Sequence, residues 1–409
     1  MGSVVDALVA ADPDRTVLVG RHGRFTAAGL AAEVDRATAA LQRLGVAAGD
    51  RVAVCLPNDV DVVVTFLAAM RAGALWVGIN RPLATPEKRY LLGDCGASVL
   101  LAEPATAASV RAEQAELPDL DHVVAVDPDA ASDDWREALA DAPRTPSAVE
   151  IDPLRPAAIA YTSGTTGFPK GAVHTQHNLL LPGAVSTQRG QYPDGGVLGV
   201  PLPLTLLNLI VLGPLVAYQA GLSLVAMDRI DAPGMAEWIA EEGITTFAAV
   251  PAMVHDLLTH PDVADEQLAS LEGIGVGGAD MPDPFRRMYA ERFGRPVGTG
   301  YGLTEAPTAV TLEDPDEPPV PGTCGKALPQ VAIHVLDDAD EPCPPGEVGE
   351  VCVGPATDGP FADRWRPMLG YWDRPEATAE ALRDGLLHTG DLGTLDEDGR
   401  LFIRDRRHD

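Results

Sequence analysis

An α/β protein, with two doubly wound sheet-and-helix subdomains and a smaller, barrel-like β-rich subdomain, is predicted by three observations. Apolar runs of strand length alternate with amphipathic helical patterns over most of the chain. Gly, Pro and Asn residues punctuate the alternation. From about Pro318 the helical period gives way to short β-type runs separated by Pro- and Gly-rich turns, the mark of a mainly antiparallel unit.

Thr26 stands where a helix cap is needed. Leu30, Val34, Ala37, Leu41 and Leu44 step by four and three behind it, and Gly45 is placed for a left-handed end. Arg51 to Leu56 reads as a strand stopped by Pro57-Asn58. Asp59 opens a second helix (Val62, Val63, Phe66, Leu67, Met70) closed by Gly73, and the strand Leu75 to Ile79 follows. Thr85-Pro86 reads as an N-cap with proline in the first helical position, ahead of the strand-like run Ala97 to Ala102. Pro- and Asp-rich chain from Ala142 to Pro156 interrupts the pattern. It resumes with Ala157 to Tyr161, Leu222 to Ala226, Thr245 to Val250 and Gly273 to Gly277. Beyond Pro318, Ala332 to Leu336 and Val348 to Val353 are the clearest β runs. The expected division is 1–317 for the paired α/β subdomains and 318–404 for the β-rich one, with 405–409 left as a short remainder.

Composition narrows the function. The 409 residues carry 30 Lys+Arg against 60 Asp+Glu, a formal charge of −30, and 46% are hydrophobic. Such a chain is globular, and its charge argues against a nucleic-acid backbone or an anionic membrane as partner. Any phosphate must therefore be held locally. The five cysteines (Cys55, Cys95, Cys324, Cys343, Cys352) are scattered and form no C-x-x-C pair, so a reduced, cytoplasmic setting is expected. Met1 is followed by Asp6 and Asp12 without a leader-like basic and apolar pattern. Residues 195–227 contain no charge, but Pro201, Pro203, Pro214 and several glycines divide them. Buried strands and a core helix are expected there rather than a membrane span.

The richest segment runs Tyr161-Thr162-Ser163-Gly164-Thr165-Thr166-Gly167-Phe168-Pro169-Lys170-Gly171. It follows an apolar strand, and its glycines and small hydroxyl residues let backbone N–H groups approach an anion closely. Lys170 adds a positive charge, so a polyphosphate is the natural ligand. Pro169 stands where G-x-x-x-x-G-K needs its last glycine, which disfavours a kinase or an ordinary P-loop nucleotidase.

This string resembles the phosphate-binding signature of the acyl-adenylate-forming superfamily, which includes acyl-CoA synthetases and adenylation domains. Further segments resemble that family's motifs in the family's order: Gly277-Gly278-Ala279, then Gly300-Tyr301-Gly302-Leu303-Thr304-Glu305, then Gly370-Tyr371-Trp372 to Thr378, then Thr389-Gly390-Asp391, then Asp405-Arg406. The resemblance implies that Thr162, Ser163, Gly164, Thr165, Thr166, Gly167 and Lys170 hold the phosphates. It places Tyr301 on the adenine, Thr304 at the α-phosphate and Glu305 on a magnesium ion, with Asp391 and Arg406 at the ribose. Gly278 and Ala279 border the nucleotide. Gly277, Gly278, Gly300 and Gly302 border the acyl group. Lys170, Thr304 and Glu305 are the expected catalytic groups. The family's P-L-F-H segment, which lines the acyl tunnel, appears as Pro201-Leu202-Pro203-Leu204-Thr205-Leu206-Leu207-Asn208, with its aromatic ring and histidine replaced by aliphatic residues, and the resemblance places Leu204 and Asn208 beside the acyl group.

The implied activity is that of an ATP-dependent acyl-CoA ligase: a carboxylic acid attacks ATP to give acyl-AMP, and a coenzyme A or phosphopantetheine thiol then takes the acyl group. No enzyme nucleophile is needed, in keeping with the lack of a G-x-S-x-G elbow. The chain stops at Asp409, the family's hinge position. The family's C-terminal domain, with the lysine that stabilises the adenylation transition state, is therefore expected to be absent and adenylation impaired. A nucleotide- and acyl-adenylate-binding module that needs a partner domain, or an adenylation domain loading a carrier protein, remain the alternatives.

Overall fold

Thr26 Oγ1 accepts the Gly29 N–H at 3.1 Å and so caps the helix Ala27–Arg43, filling one of the donors that every helix start leaves bare. Asp59 likewise accepts the Val60 N–H at the head of Val60–Ala72, and Gly73 ends that helix at φ +70°, where a side chain would be strained. Every residue of Val60–Ala72 except Asp61 and Arg71 is buried. Such a helix has no solvent face and belongs inside a core. Phe66 meets Trp76 edge to face there, ring centroids 5.5 Å apart, and its truncation to alanine would cost about 3–5 kcal/mol.

The structure, a computed structural model, describes residues 3, 4, 6, 12–162, 168–192, 195–276, 282–314, 317, 318 and 320–406. The chain divides into two units, one of Met1–Tyr161 with Val173–Ile230 and one of Thr162–Ala172 with Asp231–Asp409.

The first unit holds two sheets, although residue 162 and residues 170–172, at the ends of two of their strands, are counted in the second unit. Strands β1 (Thr16–Gly20), β2 (Gly23–Thr26), β3 (Arg51–Cys55), β4 (Leu75–Gly78), β5 (Val99–Ala102), β6 (His122–Ala125), β7 (Pro156–Thr162), β8 (Lys170–Thr175), β9 (Val197–Val200) and β10 (Ser223–Ala226) follow in sequence. One sheet has the order β8-β7-β4-β3-β5-β6, and β4 and β5 both run parallel to β3 on opposite sides. The other runs β9-β10-β1-β2, parallel except for the β1–β2 hairpin. Parallel strands need helical crossovers, which the intervening helices supply. The uncharged stretch folds as β9, a short helix Leu207–Ile210, a π turn Val211–Leu215 around Pro214, a helix Val216–Ala220 and β10. No helix among the described residues is long and apolar enough to cross a membrane.

One expected cap is corrected. Thr85 is the first helical residue of Thr85–Cys95 and Ala84 is the cap, because Glu87 reaches back and accepts the Ala84 N–H at 2.7 Å. The Thr85 hydroxyl instead meets Ser109 Oγ at 3.0 Å.

The second unit contains the parallel pair β11 (Thr246–Ala249) and β12 (Gly273–Val276) with helices Ala232–Glu242, Pro251–Thr259 and Asp283–Phe293. A three-stranded antiparallel sheet follows, made of β13 (Gly300–Leu303), β14 (Thr308–Leu312) and β15 (Lys326–Ala327). The rest is β-rich: β16 (Val331–Leu336), β17 (Gly349–Pro355), β18 (Gly370–Tyr371), β19 (Leu382–Arg383), β20 (Leu386–Leu395) and β21 (Leu401–Arg406). These strands, β18 excepted, form an antiparallel sheet ordered β16-β17-β20-β19, with β21 also on β20. Strand β18 lies beside the start of β8, where the Trp372 N–H donates to the Gly171 carbonyl at 2.7 Å.

Candidate active site

The phosphate-loop string is anchored at both flanks. Tyr161 at the end of β7 donates its hydroxyl to Asp94 Oδ2 at 2.7 Å, and burial with that carboxylate pushes its pKa up. Thr162 Oγ1 donates to the Lys170 carbonyl at 3.4 Å, tying the two ends of the loop together. Ser163, Gly164, Thr165, Thr166 and Gly167 lie outside the described residues, as do Gly277, Gly278 and Ala279.

Lys170 and Glu305 are brought to one side chain, Tyr371. Its hydroxyl donates to Glu305 Oε1 at 2.6 Å, and Lys170 Nζ lies 4.6 Å from the centre of its ring. Burial and the neighbouring Glu305 raise the Tyr371 pKa, so the phenol stays a neutral donor. Local sequence explains why Tyr371 sits there. Gly370 has φ +144°, and a Cβ on it would stand 2.6 Å from Thr378 Cγ2. With no Cβ in the way, Thr378 Oγ1 accepts the Tyr371 N–H at 2.9 Å and donates to the Arg374 carbonyl at 2.8 Å. The Gly-Tyr-Trp to Thr378 spacing is thus a device for fixing a tyrosine.

Tyr301 and Asp391 form the second junction. The Tyr301 hydroxyl donates to Asp391 Oδ2 at 2.5 Å, and burial followed by the Asp391 charge raises the phenol pKa. Thr304 and Glu305 occupy the turn between β13 and β14, half-buried, and the Met368 N–H donates to the Glu305 carbonyl at 2.9 Å. Gly300 and Gly302 alternate with Tyr301 on β13 for a packing reason. A Cβ would stand 2.7 Å from the Thr311 carbonyl at the first and 2.4 Å from the Thr308 carbonyl at the second. Thr308 itself sits at φ +86°, a strained position for a β-branched residue.

Beneath Asp391 lies a buried cluster that the sequence motifs do not point to. Glu350 Oε1 accepts the Gly390 N–H at 3.1 Å, and its other oxygen meets His388 Nδ1 at 3.2 Å and Arg383 at 3.5 Å. Cys352 Sγ is 3.3 Å from the same His388 nitrogen. These donors engage one another and the Gly390 turn at φ +74°, so the cluster supports the strand that carries Asp391. Arg406 pairs with Asp391 in the β20–β21 register, while its side chain lies outside the described residues.

In the first unit, Leu204 is buried and Asn208 is exposed on its short helix. The segment leading to Leu204 is clamped by Asn58, whose amide donates to the Val200 and Leu202 carbonyls at 3.0 and 2.8 Å and whose oxygen accepts the Leu204 N–H at 2.8 Å. Gly78 permits this approach, since a Cβ there would collide with the Thr205 carbonyl. Sequence reasoning missed Asn58, reading it as a strand-end turn. Its only signal is an amide placed just after a parallel strand.

A hard cation fits Glu305. One carboxylate oxygen is held by Tyr371, and among the described residues no group donates to the other, which suits magnesium with its preference for one or two carboxylates plus phosphate oxygens.

Comparison with known proteins agrees with this chemistry. Residues 5–372 match the family model described as AMP-binding enzyme. The chain is 32% identical over 396 residues to the long-chain-fatty-acid–CoA ligase FadD13 of Mycobacterium tuberculosis, covering 94% of this chain and 74% of the relative. It is 34% identical to a feruloyl-CoA synthase of an Amycolatopsis species, covering 95% and 75%. Among solved structures, ATP-bound MatB from Rhodopseudomonas palustris aligns with a TM-score of 0.87 at 28% identity, over 99% of this chain and 78% of that one.

Proposed function

The chain belongs to the AMP-binding enzyme family, and from that premise we infer the roles of its residues in an ATP-dependent acyl-CoA ligase. The enzyme is an acid–thiol ligase that uses ATP, magnesium and coenzyme A. A carboxylate oxygen of the acid attacks the α-phosphorus of ATP, the bond to pyrophosphate breaks, and acyl-AMP forms. A thiol sulfur then attacks the acyl carbon and AMP departs.

Two anions must meet in a protein of net charge −30. The task is therefore charge neutralisation and alignment rather than nucleophilic catalysis. In our reading Lys170 faces the β- and γ-phosphates with the loop from Thr162. Glu305 holds the magnesium ion, which neutralises phosphate charge when bound. Thr304 contacts the α-phosphate, Tyr301 packs on the adenine, and Asp391 accepts both ribose hydroxyls through its two acceptor oxygens. Asn58 holds the Pro201–Leu204 segment as one wall for the acid. The relatives run past the matched region, which is about three quarters of their length. A partner domain is the proposed protein partner, and a carrier-borne phosphopantetheine is the alternative acceptor.

The observation that carries the reading is that Lys170, Glu305, Tyr301 and Asp391 all lie in one unit and pair through two tyrosines. The test is to incubate the chain with ATP, magnesium and a panel of aliphatic and aromatic acids, following pyrophosphate exchange, and then to add coenzyme A and detect the thioester by mass. At least one acid is expected to support exchange or to form its thioester from supplied acyl-AMP. Failure of every acid in both assays, together with no ATP binding by calorimetry, would overturn it.

A further inference from the structure

Lys170 and Glu305 carry opposite charges and touch the same side chain, yet among the described residues neither takes part in an ion pair. A lysine beside a free carboxylate in a partly buried site would close on it, and the pair would neutralise both groups before any nucleotide arrived. Tyr371 occupies both partners instead. Its hydroxyl holds Glu305 at 2.6 Å, and its ring face receives the Lys170 ammonium at 4.6 Å, an attraction between a cation and the ring quadrupole. The backbone that carries the ring is held at two points. The Tyr371 N–H is bound by Thr378 at 2.9 Å, and the N–H of Trp372 by Gly171, the residue after Lys170, at 2.7 Å.

We propose that Tyr371 is a positioning residue that keeps Lys170 and Glu305 apart and pre-aims both at an incoming magnesium–triphosphate. The inference rests on the nucleotide reading of this site and adds a division of labour within one side chain. The hydroxyl presents the second Glu305 oxygen to the cation. The ring stores the lysine charge in a weak contact that a triphosphate outcompetes. A strong ion pair in its place would have to be broken each time ATP binds.

Two substitutions separate these tasks. Y371F keeps the ring and removes only the hydroxyl, whereas Y371L removes both. Calorimetry of ATP and of AMP, each across a magnesium titration, reads the outcome without turnover. For Y371F the magnesium concentration that half-saturates ATP binding should rise about three- to tenfold, the loss of one hydrogen bond, while AMP affinity stays at the wild-type value. Y371L should show that shift and also a roughly two- to fivefold loss of ATP affinity without magnesium, because Lys170, released from the ring, pairs with Glu305 and ATP must break that pair to bind. An unchanged magnesium requirement in Y371F overturns the proposal. So does an equal loss of AMP and ATP in both variants, which would make Tyr371 a packing residue only. A wild-type chain that takes up no ATP would instead remove the nucleotide reading, and this inference with it.

Discussion

Tyr301 donates its phenolic hydrogen to Asp391 Oδ2 at 2.5 Å, so the hairpin sheet and the antiparallel sheet of the second unit meet at a charge-assisted hydrogen bond. Asp391 is 8% exposed, and its carboxylate is held by a neighbour that cannot titrate near neutral pH. D391N keeps the shape and removes the charge. It should weaken AMP and ATP alike, by about 10- to 100-fold, because hydrogen bonds to a charged group are worth about 1.5–3 kcal/mol. Calorimetry with both nucleotides checks this. An ATP-specific loss would move Asp391 from the ribose to the phosphates.

Lys170 should show the opposite selectivity. K170A removes a charge that faces the β- and γ-phosphates in the proposed reading and leaves the base and ribose contacts untouched. ATP affinity should fall at least about tenfold more than AMP affinity, and the difference should shrink as salt rises. Equal losses for the two nucleotides would remove Lys170 from the polyphosphate end.

What the sequence made legible was local. Thr26, Asp59 and Gly73 fix helix ends through atoms within three residues of themselves, and each stands where spacing places it. The motif strings were legible for the same reason, since a loop or turn keeps its chemistry in consecutive residues. The Thr85 cap was misread because Glu87, a residue with several possible uses, does the capping. Contacts made across the fold had no local signal. Asn58 meets Leu204 across 146 positions, Tyr371 meets Glu305 across 66, and Glu350 meets His388 across 38. Spacing along a chain carries no record of such pairs. Tyr371 came closest, because Gly370 and Thr378, which hold it, lie in a recognisable string.

Asn58 is the clearest of these long-range clamps. N58A leaves the Leu202 carbonyl and the Leu204 N–H without their partner, while the Val200 carbonyl keeps the Met227 N–H, at a cost of about 1–3 kcal/mol. The urea midpoint should fall accordingly. If this segment borders the acid, KM for the acid should rise more than KM for ATP. A stability loss with an unchanged acid KM would take the segment out of the acyl site.

Acidity should be felt first around Asp61. Burial, then the charges of Asp59 and Asp133, push its pKa from 3.8 up to about 6. The folded state thus holds a proton that the unfolded chain has already released between about pH 4 and 6. Stability must therefore fall as pH rises through that window and level off above it. The gap corresponds to at most about 3 kcal/mol, less in practice because part of the side chain meets solvent. His22 adds a change of the same sign at higher pH. Burial lowers its pKa, but hydrogen bonds to Asp59 and Asp129 outweigh this and raise it, so its contribution is lost as the ring deprotonates. D61N should flatten the lower part of the profile in chemical denaturation and leave the upper part. An unaltered slope between pH 4 and 6 would show that Asp61 is not its source.

Glu350 tests whether the strand bearing Asp391 is pre-shaped by what lies under it. Its carboxylate accepts the Gly390 N–H at 3.1 Å, one residue before Asp391, and meets His388 at 3.2 Å. E350A leaves that N–H without its acceptor, while Arg383 keeps Asp340 at 3.2 Å and the Glu380 carbonyl at 3.3 Å. Stability should drop by about 1–3 kcal/mol, and AMP affinity should fall with it, because Asp391 is then carried on a looser turn. In E350Q the amide oxygen can still accept the Gly390 N–H. Most of the nucleotide affinity should return even though the charge beside His388 and Arg383 is gone. Recovery of AMP binding in E350Q but not in E350A separates positioning from simple destabilisation. If E350A melts early yet binds AMP like the wild type, the turn holds its shape through the Thr389 hydroxyl, which accepts the Asp391 N–H at 3.1 Å, and the buried cluster stabilises the fold alone.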